Sequence, residues 1–199
     1  MISSSEIKDK ALAALKGNWT DAVIATIMYG VIVGACPAVL SYMTSGAESV
    51  WTLLMLPLGW GFMVMFLNMM RGSKIDFTSM FDGYKDFVRI FVTLLLRYIY
   101  IILWTLLLIV PGIVKSLSYA MTDYIMKDDP EIKNNEAIEK SMAMMQGHKW
   151  ELFLLYLSFI GWFILAVLTC FIGFIFLVPY MEAATAAFYE ELKEEEANG

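Results

Sequence analysis

Three stretches of this chain, residues 22–47, 49–70 and 152–181, contain no charged residue. About 20 helical residues cross the hydrocarbon core of a bilayer, and each stretch is at least that long. Backbone amides cannot be left unpaired in lipid, so segments of this kind must fold as helices that pair them internally. That restricts the chain to an all-α, polytopic membrane architecture before any motif is considered. Composition agrees: 59% of the 199 residues are hydrophobic and 17% charged, against about 25% charged in soluble domains.

The net charge of -6 comes largely from the C-terminal tail, where Glu190, Glu191, Glu194, Glu195 and Glu196 outnumber Lys193. No basic stripe points to nucleic acid. Cys36 and Cys170 lie in apolar runs and read as packing residues rather than as a disulfide. Residues 1–20 mix charges and polar groups and lack the apolar core of a cleaved signal peptide, so the first span is expected to act as its own signal.

A phrase recurs along the chain. Gly17, Gly83 and Gly147 lie 66 and 64 residues apart, each just before an apolar run. Amphipathic helical patterns precede the first (Ile7, Ala11, Ala14 and Leu15 on one face) and the third (Ile138, Met142 and Met145), with Asp129 and Pro130 expected to open the third. Glycine is the usual helix terminator. Trp19, Tyr84 and the run His148, Lys149 and Trp150 follow, residue types that favour the membrane–water boundary. Further glycines, Gly46, Gly112 and Gly173, then read as turns between an outgoing and a returning span.

The pattern therefore predicts a single integral membrane domain over 1–199, built from three interfacial-helix/span/span units at about 1–70, 71–126 and 127–192, with an acidic tail at 193–199. Six spans are expected, at 20–43, 50–70, 87–110, 112–126, 150–170 and 173–189. Lysine and arginine concentrate in the loops on one side and are missing from the three predicted outer turns. This places both termini in the cytoplasm.

Several short motifs carry a family resemblance. They are Ala14-Leu15-Lys16-Gly17-Asn18-Trp19 near the start, then Ser118-Tyr119, Asp128-Asp129-Pro130, Ser141 and Gly147-His148-Lys149-Trp150. They continue through Leu152-Phe153, Leu157-Ser158-Phe159-Ile160-Gly161-Trp162, Gly173, Pro179-Tyr180, Thr185 and Phe188-Tyr189. In these the chain resembles an uncharacterised bacterial membrane family, the domain of unknown function numbered 975. The resemblance implies a protein of the bacterial cytoplasmic (inner) membrane and carries no catalytic residues with it.

Four ionisable residues fall within predicted spans: Arg97, Lys115, Asp123 and Glu182. Such groups are costly in lipid and mark functional sites by default. Counted along the helices, Arg97, Lys115 and Glu182 lie ~15, ~16 and ~10 Å from the cytoplasmic boundary, with Asp123 nearer it. Two cations and a carboxylate at similar depth would leave one cation free for an anionic head group or a small anion. No nucleophile–base pair, metal-ligand spacing or phosphate-cradling loop accompanies them, so no enzyme, cofactor or metal is expected. Two roles rank ahead of a membrane-embedded enzyme: a non-enzymatic factor that organises the lipid bilayer or a membrane partner protein, and a carrier or channel for a small or lipid-like anion.

Overall fold

The computed structural model describes residues 3–35 and 47–198, and every regular element among them is helical. The chain runs through α1 (Ser4–Leu15) and α2 (Trp19–Gly30), which continues into a π turn at Val31–Ala35. Next come α3 (Ala47–Leu54), α4 (Leu56–Met70), a 3-10 turn at Phe77–Tyr84, α5 (Phe87–Leu107), α6 (Ile109–Ser118) and α7 (Thr122–Asp128). It ends with α8 (Asn134–Met144), α9 (Lys149–Leu157), α10 (Ile160–Leu168) and α11 (Phe174–Asn198). The expected turn at Gly46 lies outside the described residues.

Three helical segments are long and apolar enough to cross a membrane: Val50–Met70, Phe87–Leu107 and Lys149–Leu168. The other predicted spans take different forms. The apolar helix at Trp19–Gly34 is shorter, and part of the predicted span 20–43 lies outside the described residues. The stretch 112–126 is broken between α6 and α7. The stretch 173–189 is the first part of α11, which continues without interruption through the acidic tail.

The core lies where α4 meets α11. Leu58, Phe62, Phe66 and Leu67 of α4 and Ala183, Ala184, Ala186 and Ala187 of α11 are all buried. The small alanine side chains let the two backbones approach closely. α1 lays its stripe of Ile7, Ala11 and Leu15, all buried, against α11. That i, i+4, i+8 spacing is the apolar face read from the sequence.

Charges gather at one end of this bundle, around the last turns of α11. The Arg71 guanidinium donates to both oxygens of Asp128, at 2.7 and 2.8 Å, and to Glu190 at 2.9 Å. Lys193 (2.6 Å) and the Tyr189 hydroxyl (2.9 Å) also donate to Asp128. Burial alone would raise the Asp128 carboxyl, but these donors prevail and lower it to about 2. Lys10 pairs with Glu191, and His148 sits between Glu151 (2.9 Å) and Glu195 (3.4 Å). The opposite end carries exposed Leu106, Leu107, Leu108, Ile109 and Val110 on the α5–α6 turn, and Leu168, Phe171 and Ile172 at and after the end of α10.

The three period-setting glycines are not equivalent. Gly17 and Gly147 have φ of +94° and +95° and separate α1 from α2 and α8 from α9, the left-handed geometry that glycine adopts without strain. Gly83 does not close a helix in that way. It lies in the 3-10 turn, where a Cβ would come within 2.2 Å of the Pro57 carbonyl oxygen. It is a packing glycine, which corrects the expectation of a third helix stop. Nor is Gly112 a turn: the chain reverses at Leu108, and Gly112 of α6 packs against Thr105 of α5. Asp129 and Pro130 precede α8 without opening it. The Asp129 carboxylate accepts the Glu131 amide at 3.2 Å in a tight turn, and α8 starts at Asn134.

Candidate functional site

The helix break between α6 and α7 sets the site. Ser141 of α8 reaches into it, donating to the Ser118 carbonyl (2.8 Å) and accepting the Met121 amide (3.2 Å). The groups freed by the break are thus satisfied from a neighbouring helix, and α7 starts again in a new register. That register buries Asp123 to 1% exposure. The Trp60 indole of α4 donates to the Asp123 backbone carbonyl at 2.9 Å, tying the short helix to the core.

Arg97 of α5 pairs with Asp123 through Oδ2 and lies over the Tyr98 ring, 5.4 Å from its centre. The Arg97 side chain is 13% exposed. Beside this pair lies a cavity of about 290 Å³, lined among others by Tyr29, Trp60, Phe62, Arg97, Asp123 and Glu182. Arg97 lies ~12 Å along α5 from Arg89, and Glu182 ~12 Å along α11 from Glu190, so the polar floor sits well inside the charged end. From there the lining extends through Met55, Thr52 and Val33, away from the cluster around Asp128.

Two features of the floor are unusual for a buried site. Asp123 Oδ1 has no hydrogen-bond partner among the described residues, and an orphaned buried acceptor is costly. Glu182, which also borders a second space beside Tyr156 and Thr185, has no ion pair among the described residues, and the neighbouring Asp123 carboxylate has the same sign.

Of the four intramembrane candidates, the structure brings Arg97, Asp123 and Glu182 together and leaves Lys115 out. Lys115 lies on α6, its ammonium 5.0 Å from the centre of the Trp104 ring and 5.9 Å from that of Tyr119. The break at Tyr119–Met121 separates it from Asp123, and the reversal at Leu108 packs α6 back along α5. The expected balance of two cations and one carboxylate is therefore reversed. One cation, already paired, faces two carboxylates, and no cation is left over for an anion.

The boundary residues are placed differently. Trp19 packs its ring against Phe176, with centroids 6.4 Å apart. Trp150 is exposed and stacks on Phe153, while Lys149 and His148 stand at the start of α9. Sequence reasoning missed the aromatic lining. Tyr29 and Phe62 stack at 4.5 Å and 12°, but among so many apolar residues neither stands out. Only Trp60, which needs a partner for its indole N–H, carried a signal.

Fold and site define an all-helical protein with three apolar helical segments of membrane-crossing length, two of which line a small cavity that carries Arg97, Asp123 and Glu182. The sequence profile of the family described as a protein of unknown function (DUF975) matches residues 1–117 and 106–196. The chain belongs to that family. No curated protein and no solved structure matches it.

Proposed function

We propose that this chain is a multi-pass protein of the bacterial cytoplasmic membrane, with both termini in the cytoplasm, that binds a small polar ligand in the cavity beside Arg97 and Asp123 without transforming it. The carrying observation is that Asp123, a residue lining that cavity, keeps a buried Oδ1 with no hydrogen-bond partner among the described residues. Charged groups inside an apolar bundle are retained at a cost, and a ligand that satisfies the free acceptor offsets it. A helix interruption borders the cavity at Tyr119–Met121, just before Asp123. Broken helices of this kind line the binding sites of membrane carriers. The one-sided charge cluster around Arg71, Asp128 and Lys193 supports a cytoplasmic assignment for that end.

Native mass spectrometry of gently extracted protein tests the reading. Met63 lines the cavity, and Met63→Trp places an indole there without touching a charge. A small molecule retained by wild type and lost in Met63→Trp is the expected result; identical spectra for a folded variant would refute ligand binding. A second reading, a scaffold for a membrane partner or lipid, is favoured by the exposed apolar hairpin at Leu106–Val110. It expects a co-purifying partner that survives Met63→Trp.

A further inference from the structure

We infer that the ligand of this cavity presents a cationic ammonium group, held between Asp123 Oδ1 and the Glu182 carboxylate. This inference rests on the ligand-binding reading above and adds the ligand's chemistry. Asp123 is 1% exposed, lines the cavity and has one oxygen without a partner. Glu182, on α11, lines the same cavity. The single cation there, Arg97, is engaged by the other oxygen of Asp123 and by the face of Tyr98.

No further cation comes from the intervening sequence, because residues 36–46 contain no lysine, arginine or histidine. Lys115 is held over Trp104. An incoming anion would meet two carboxylates and a guanidinium already committed. An incoming ammonium would find a free acceptor on Asp123 and an unpaired carboxylate on Glu182. Rings of Tyr29, Trp60 and Phe62 complete the lining, and aromatic faces attract cations. At about 290 Å³ the space falls just under the roughly 300–1,000 Å³ of drug-sized sites, so it suits a small amine or the ammonium of a lipid head group.

The test reconstitutes the full chain in phosphatidylglycerol nanodiscs, which bring no ammonium of their own. Saturation-transfer NMR then compares three probes of equal length: butylammonium, butanol and butyrate. Wild type is expected to bind butylammonium, and the near-isosteric Glu182→Gln to bind it at least about tenfold more weakly. Glu182→Gln removes a charge without leaving Arg97 unpaired, so folding is kept. Competition by added phosphatidylethanolamine assigns the ammonium to a lipid head group; its absence assigns it to a free amine. Binding of butyrate or butanol in preference to butylammonium, blocked by Met63→Trp, would overturn the cation assignment and leave the cavity reading standing. If no probe binds and Met63→Trp changes nothing, both fall.

Discussion

Arg97→Met removes the positive half of the buried pair and keeps an apolar stem of similar length. Asp123 is 1% exposed and its second oxygen already lacks a partner, so the variant strands a carboxylate with no donor to either oxygen. Breaking a buried pair from one side costs about 3–5 kcal/mol. The adjoining cavity can admit water, which argues for the low end, about 3 kcal/mol. Replacing both partners, Arg97→Met with Asp123→Leu, removes the desolvation cost as well, so the double variant is expected within about 1 kcal/mol of wild type. Reversible unfolding in mixed micelles, followed by tryptophan fluorescence over the four members of the cycle, measures the coupling. A single variant that loses less than about 1 kcal/mol, or a double variant no better than the single, would refute a buried and mutually dependent pair.

At the charged end, Asp128 is lowered to about 2 from an unfolded value near 3.9. Its stabilisation is therefore complete above about pH 4 and lost as pH falls through about 2, amounting to about 1 kcal/mol after solvent screening. Acid titration of stability should show that loss in wild type, and Asp128→Asn should flatten it. Gly61→Ala would put a Cβ 2.0 Å from the Met80 carbonyl oxygen and is expected to cost at least about 2 kcal/mol. Gly30→Ala meets nothing within 4 Å and should be neutral or stabilising by up to about 1 kcal/mol; thermal unfolding of the two side by side checks the contrast. Lys115→Met should leave ligand retention in native mass spectra unchanged, and a loss would show that this lysine reaches the cavity.

Much of this was written in the sequence in strong physical terms. The uncharged run at 50–70 and the run from Phe87 ended where the apolar helices end or within three residues of it, because lipid-length hydrophobicity leaves little freedom. The face of α1 was readable from the spacing of Ile7, Ala11 and Leu15. The in-span charges at Arg97, Asp123 and Glu182 pointed to the cavity because charge in an apolar run is rare. The charge balance was not readable. It turns on a helix break at Tyr119-Ala120-Met121, where no proline or glycine signals a stop. The hydroxyl of Ser141, some twenty residues away in sequence, satisfies both sides of the break. Local reading ran one helix through that point and so set Lys115 and Asp123 on a common axis. Gly83 misled for a similar reason: its need to lack a side chain comes from the Pro57 carbonyl of another element.

Diffraction from crystals grown in a lipidic mesophase would test the central claim most directly. Non-protein density is expected in the cavity within hydrogen-bond reach of both Asp123 Oδ1 and Glu182, with Lys115 outside over Trp104. A Lys115 ammonium lying between the two carboxylates, or side chains closing the space, would contradict it.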